Sequence, residues 1–518
     1  MADPLLLGID VGTGSAKGVL VDVHGRFCAT AASSYTYERP APTHAEQSAD
    51  DWWRAVCQVV RTLLAQNPDA HERIACVGVS GQGVAAVPIG HNGKPLRKAI
   101  LWLDTRCEEE ARALAETHGK ELTAISGKIP AAYNFEPKLL WLRKHEPRVW
   151  EQTWKMLTTT AYISFRLTDR AVMNYSDAGI TLSWNLKQNC WSEEAMAYIE
   201  LPRDLFSDVA PCHQVIGTVT AQASQECGLA EGTPVIAGGE DTSSSGLAMG
   251  VVSGNEVQLS MGMATTINVP FPYPVWDSRL LAFPHVLEGT TLLGGSMVAG
   301  GLALDWLART LAGSTDSNAS ARGEWIQREA DEIKDVPAGA NGLIFAPYLA
   351  GELQPINDGM ARGVLLGITA STTPAEIFRA VMEGTAFAIH HNLHYAKEVG
   401  ANPVRIVAVG GPTRNDLWCQ IIADAAGMPL DAMEEHGGAA LGDAILAGMG
   451  AGLLNDPLEM QRAHARTRKR FSPDWRNHEV YQSLFGVYRE IYPRLSDLFP
   501  KLAGPIHEEK GANEDVHL

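Results

Sequence analysis

The chain has 518 residues, 45% of them hydrophobic and 20% charged, an ordinary composition for a soluble globular enzyme and enough length for two or three domains. A formal net charge of −18 argues against a nucleic-acid partner, and the compact basic run RTRKR at residues 466–470 reads as a solvated helix end. Cys28, Cys57, Cys76, Cys107, Cys190, Cys212, Cys227 and Cys419 are scattered with no CxxC pair and no neighbouring histidine pattern. They suggest neither a zinc site nor a disulfide framework, and reduced structural thiols are expected. The start MADPLLLGID lacks a basic region and a long apolar core, and no stretch approaches a transmembrane length, so a cytoplasmic chain with no membrane partner is expected.

In chain order, residues 5–11 read as a buried strand, residues 12–15 as a turn of glycine and hydroxyl residues, and residues 18–22 as a returning strand, together a hairpin. Gly12 and Gly14 are expected to take positive φ and aim backbone N–H groups into an anion-sized concavity, to which Thr13 and Ser15 add hydroxyls and Lys17 a charge. Asp10 at the strand end is then placed to hold a phosphate-bound cation; an ordinary glycine hairpin at a sheet edge is the alternative. A helix over 48–64, a strand over 74–80, an apolar segment at 99–103 and a mostly helical stretch over 107–167 follow.

The segment PVIAGGEDTSSSG at residues 234–246 again runs an apolar strand into glycines and an acid, Asp241. The echo of the first hairpin suggests two domains of similar build across a cleft, with Asp10 and Asp241 acting on one nucleotide and one acceptor. Gly246, Gly250 and Gly254 place a loose boundary near 245–255. Strands are expected over 255–260 and 265–269 around another glycine turn, and a small-residue helix over 297–311. A helix after Thr373 has that residue as cap, Pro374 at its first position, Glu376 completing a capping box, apolar Ile377, Val381 and Phe387, and Gly400 at its end. It carries His390 and His394 at the spacing of a metal pair, with no third ligand in view. The polar, acidic tail over 505–518 is expected to be mobile.

Specific motifs resemble the FGGY carbohydrate kinase family of the actin, Hsp70 and sugar kinase superfamily. GVLLGITASTTPAEIFRAVME (363–383) is similar to the second family signature. YNFEPKLLWLRKH (133–145) is similar to the first, with Lys138, Trp141 and His145 in place and Phe135 as a departure. EQSADDWW (46–53), ILWLDTR (100–106), PYLAGELQPINDGMARG (347–363) and VAVGGPTRNDLWCQIIAD (407–424) extend the match nearly end to end.

The resemblance implies an α/β, two-domain, actin-like or ribonuclease H-like ATPase fold with a cleft. It divides the chain into 1–248 (sugar binding and first phosphate loop), 249–455 (nucleotide binding), 456–503 (helices packing on the body) and 504–518 (tail). It makes Asp241 the catalytic base and Asp10 the magnesium-linked acid. Gly12, Thr13, Gly14, Ser15 and Lys17, with Gly262 and Thr265, become phosphate-binding, and Gly300, Gly301, Gly410, Gly411 and Asn415 nucleotide-binding. Gln82, Gly83, Trp102, Asp104, Arg106, Tyr133, Asp241 and Thr242 become the acceptor pocket. Met263 stands where the family has a hydroxyl residue, leaving Thr265 or Thr266 to supply a donor, and Pro412 where it has a third glycine.

The implied reaction is ATP-dependent phosphorylation of a hydroxyl of a small sugar, with ATP and Mg²⁺ as cofactors. VSGQGVAA resembles the xylulokinase branch up to Gln82 and then departs, with Gly83 and Val84 in place of Met-His. D-xylulose going to D-xylulose 5-phosphate is the first expectation, a polyol such as erythritol or another ketose the second, and an actin-like or Hsp70-like nucleotide switch the third. The partner is a small-molecule sugar or polyol, with a homodimer as the assembly to consider.

Overall fold

A computed structural model describes residues 3–298, 300–311, 319–434, 437–464 and 466–502; the expected tail falls outside them. Two seven-stranded mixed sheets organise the chain. The first runs Val215–Thr218, Pro234–Ile236, Ile74–Gly81, Leu5–Val11, Ser15–Asp22, Phe27–Ser34, and Gly239–Glu240 pairs at the far end of Ile74–Gly81. The second runs Leu281–Pro284, Thr291–Met297, Thr265–Phe271, Glu256–Met261, Arg405–Val409, Leu430–Met433, Thr467–Phe471.

Leu5–Val11 is apolar up to Asp10 because helices cover both faces of its sheet. Glycines set how closely they approach. A Cβ on Gly18 would lie 2.5 Å from Val59 in the helix Ala49–Gln66, and one on Gly8 would lie 1.8 Å from the Ala440 carbonyl oxygen in the helix Gly438–Gly450. Gly78 meets the Asp443 carbonyl oxygen at 2.2 Å in the same way. Gly438–Gly450 lies within the span expected for the second domain, yet Ala440, Leu441, Ala444, Ile445, Leu446 and Ala447 pack in the core of the first sheet. The helix Trp475–Leu495 instead adds Tyr481, Phe485, Tyr488 and Ile491 to the core of the second.

Several expectations need correction. Pro234–Ile236 joins the same sheet as Leu5–Val11, so Asp10 and Asp241 issue from one sheet rather than from two opposed halves. The counterpart of the first hairpin is Glu256–Met261 with Thr265–Phe271. Residues 467–471 form an edge strand, not a helix end, with Phe471 buried and Arg470 paired to Asp431 at 2.6 Å and Lys469 to Asp416 at 2.7 Å. The strand Thr153–Leu157 interrupts the helical stretch, and the helix expected from 297 is a strand Thr291–Met297 followed by the helix Gly301–Leu311. Gly246, one of the three glycines expected to mark the loose boundary, lies inside the helix Asp241–Ala248, tight against Gln258.

Helix Pro374–Glu398 carries the expected Thr373–Glu376 capping box. His390 faces Gln482 at 3.3 Å and His394 faces Arg489 at 2.6 Å, and among the described residues no three His, Cys, Asp or Glu side chains form a metal-sized group. All eight cysteines are free thiols. No helix among the described residues is long and apolar enough to cross a membrane.

Candidate active site

The carboxyl ends of Leu5–Val11 and Ile74–Gly81, with the start of the helix Asp241–Ala248, meet beside a cavity of about 1340 Å³. Asp10, Lys17, Asp241, Thr242 and Ser245 line it from the first sheet, and Ser260, Thr266, Val409 and Met433 from the second. Asp241 is the first residue of its helix, where a carboxylate meets the positive end of the helix dipole, and Glu240 caps that helix by accepting from the Ser243 N–H at 2.8 Å.

Burial outweighs the positive charge near these carboxyls. Burial, reinforced by Asp241, pushes Asp10 up to about 7 against the opposing effects of Lys17 and Ser80. Burial also raises Asp241, opposed by hydrogen bonds from Glu240 and Thr242. Asp177 is pushed up to about 7, and burial holds Asp443 well above the usual carboxylate range. Asp443, which sequence reasoning missed, accepts from Ser244 at 2.8 Å on the Asp241 helix.

The first glycine turn differs from its expected form. Neither Gly12 nor Gly14 has positive φ, and the turn closes through the Gly12 N–H to the Ser15 carbonyl at 3.1 Å. The Thr13 hydroxyl donates to Gln82 at 2.9 Å and accepts from the Trp102 indole at 3.1 Å, so it ties the turn to the acceptor wall. Gln82 in turn donates to Gln47, which holds the Thr13 carbonyl at 2.8 Å; Gln47 lay unassigned in the quoted EQSADDWW. Gly14 and Lys17 are exposed at the turn.

On the acceptor side the structure brings Gln82, Gly83 and Trp102 together, with Trp102 37% exposed. Tyr133, raised to about 12 by burial, has Gln354 of the second half as its hydrogen-bonding neighbour. Asp104 does not reach the pocket. It is 0% exposed and its carboxylate is consumed by the Ala45 N–H at 2.6 Å and by Arg106, itself locked to Glu46 at 2.7 Å and stacked on Trp141. This pair is bound within the wall. Buried Lys138 donates to the carbonyls of Val84 at 2.7 Å and Tyr133 at 2.8 Å, fixing Val84 at φ 49°, a left-handed position uncommon for a β-branched residue.

The second glycine turn is gripped by backbone. Gly301 N–H donates to the Gly262 carbonyl at 2.8 Å and Gly300 N–H to the Met263 carbonyl at 3.0 Å. Thr265 is 1% exposed beneath Gly300, whereas Thr266 reaches the cavity. Gly300, Gly301 and Gly410 are glycines because another chain segment passes there: a Cβ on Gly410 would lie 1.9 Å from the Met261 carbonyl oxygen. Gly411 stays open, and Asn415 caps the helix Asp416–Ala426 by accepting from the Trp418 N–H at 3.0 Å.

Comparison with known proteins decides the family. The N-terminal domain of the FGGY family of carbohydrate kinases matches residues 5–248 and its C-terminal domain matches residues 265–451. The chain belongs to this family. As an FGGY carbohydrate kinase it is an ATP-using phosphotransferase acting on a small-molecule sugar, with the two-domain actin-like fold of its relatives. It is 29% identical to the xylulose kinase of Bacillus subtilis over 95% of this chain and 97% of that protein. The crystal structure of xylulose kinase from Rhodospirillum rubrum superposes with a TM-score of 0.89 at 30% identity, covering 96% of this chain and 100% of the other. Gluconate kinase from Lactobacillus acidophilus superposes with a TM-score of 0.89 at 27% identity, covering 97% of this FGGY kinase and 100% of that chain.

Proposed function

We propose that this kinase transfers the γ-phosphoryl group of ATP to the terminal hydroxyl of D-xylulose, giving D-xylulose 5-phosphate and ADP. The observation that carries the reading is the placement of Asp241, at a helix start lining the same cavity as Asp10. Asp241 takes the proton of the attacking hydroxyl as its oxygen bonds to phosphorus and the bond to ADP breaks. Magnesium arrives with the nucleotide. A cavity lined by carboxylate and hydroxyl oxygens suits an ion that keeps phosphate and water ligands, and Asp10 is the group that would face it.

In this reading the turns at Gly12–Ser15 and Gly262, with Lys17 and Thr266, hold phosphate. Gly300, Gly301, Gly410, Gly411 and Asn415 shape the nucleoside side. The division at residue 248 is kept, with Gly438–Gly450 returning to the first unit. A second reading, a polyol such as erythritol or another ketose, is favoured by Gly83, which sends no side chain into the wall.

Coupled ADP release measured against ketoses, aldoses and polyols tests the choice. The highest kcat/KM is expected with D-xylulose. A higher value with erythritol transfers the reading to polyols, and ATP turnover that no sugar stimulates overturns both.

A further inference from the structure

Glu240 has one carboxylate oxygen more than its helix cap requires. Oε2 accepts from the Ser243 N–H at 2.8 Å, while a Cβ built on Gly83 would lie 3.7 Å from Oε1. Gly83 is half-exposed on the acceptor wall, so at this position Oε1 stands behind backbone with no side chain of residue 83 over it. The next residue is Asp241, and the two carboxyls share a hydrogen bond. Two cations behind the wall are already engaged: Lys138 with the Val84 and Tyr133 carbonyls, and Arg106 with Asp104 and Glu46.

We propose that Glu240 is a second acceptor-reading residue, whose Oε1, left uncovered by Gly83, hydrogen-bonds the hydroxyl on the carbon next to the one phosphorylated. The proposal rests on the kinase reading above and deepens it. Burial and the adjacent Asp241 hold the Glu240 carboxyl well above its usual range, which lets it donate as well as accept toward a hydroxyl. A carboxylate at the same position on a sugar acid meets the charge of Asp241 and two cations already committed to carbonyls and carboxylates. The acceptor end that fits is therefore a neutral vicinal diol.

Two variants test this. Glu240→Ser keeps a strong helix cap and removes the reading oxygen. Gly83→Ala keeps Glu240 and covers it; position 83 is not at positive φ, and only Ile180 Cδ1, 3.3 Å from the new Cβ, has to give way. The probes are D-xylulose and 4-deoxy-D-xylulose, compared by kcat/KM. The unsubstituted enzyme is expected to prefer D-xylulose by about a hundredfold, and each variant by less than about tenfold. A merely structural role lowers both probes together, so a preference unchanged within about threefold in Glu240→Ser overturns the proposal. If D-xylulose itself is not phosphorylated, the proposed acceptor fails alone. Erythritol against 1,4-butanediol, whose end hydroxyls have no hydroxyl neighbour, then decides the role of Glu240 by the same ratio. No turnover of any of the four overturns both.

Discussion

The two glycine hairpins occupy corresponding places in the two sheets, yet they prepare for phosphate by opposite means. In the hairpin of Leu5–Val11 and Ser15–Asp22, side chains dominate: Asp10 and Lys17 face each other in register, and the Thr13 hydroxyl is bound to Gln82 and Trp102. In the hairpin of Glu256–Met261 and Thr265–Phe271 the turn carries no charge. Its carbonyls are taken by the N–H groups of Gly300 and Gly301, and Met263, 36% exposed, puts a thioether where a donor would be useful. The first turn is therefore tied to Gln82 and Trp102 by its own side chain, whereas the second is shaped by backbone alone. A rigid backbone cradle costs no ordering when nucleotide arrives, but it contributes little to discrimination.

The largest break in this comparison is expected from Asp241→Asn, which leaves ATP affinity intact and lowers kcat at least about a hundredfold, as loss of a positioned base does. Steady-state kinetics beside nucleotide binding checks it; retention of more than a tenth of the rate removes Asp241 from that role.

Asp10→Asn should raise the magnesium concentration needed for half-maximal rate by about tenfold with little change in acceptor KM. The same residue carries a pH signature. Burial raises its carboxyl to about 7 in the folded state, above the ordinary 3.8, so the folded state binds the extra proton between those limits. Its contribution to ligand-free stability is thus full below about pH 4 and lost as pH rises through about 7. Asp177 acts in the same direction over the same window. Thermal midpoints of the ligand-free protein should fall from pH 5 to pH 8, and less steeply in Asp10→Asn.

Thr13→Val removes the link between turn and wall, and KM for the acceptor should rise about fivefold while KM for ATP holds. A rise in the ATP value alone would return Thr13 to the phosphate side. The smallest effect is expected at the second turn: Met263→Thr adds a donor on an exposed position and should lower KM for ATP about threefold. No change would show that the backbone cradle is already sufficient.

Much of this was legible because local chemistry carried it. The hairpin from Leu5, the capping box at Thr373 and Asp241 after Gly238 and Gly239 each follow from residue types at short spacing. The misreadings share a different cause. Asp104 and Arg106 look like ligands in ILWLDTR, but only the fold shows that Ala45 and Glu46, some sixty residues earlier, absorb them. Thr265 carries the right group and spends it on burial. The run at 466–470 has no apolar period of its own and becomes a strand because Leu430–Met433 offers it an edge and Asp431 a counter-charge. Asp443 could not be flagged from its neighbours, since GAALGDAILAG reads as a plain small-residue helix until it is laid across Gly8 and Gly78.

That close crossing has a consequence for how the protein is made. On a ribosome the strand Leu5–Val11 emerges first, but the helix that seals one of its faces is encoded at Gly438–Gly450, after nearly the whole of the second sheet. At ordinary synthesis rates the intervening residues, 249–437, take roughly ten to forty seconds to appear, and for that interval an apolar sheet face with backbone-deep glycine grooves stands uncovered. A nascent or truncated chain ending at residue 248 should accordingly bind holdase chaperones and precipitate when they are depleted, while full-length chain released from the same ribosomes stays in solution. Severing the two halves for separate expression would then work only if the cut fell before Gly438 and that helix were fused back to the first half.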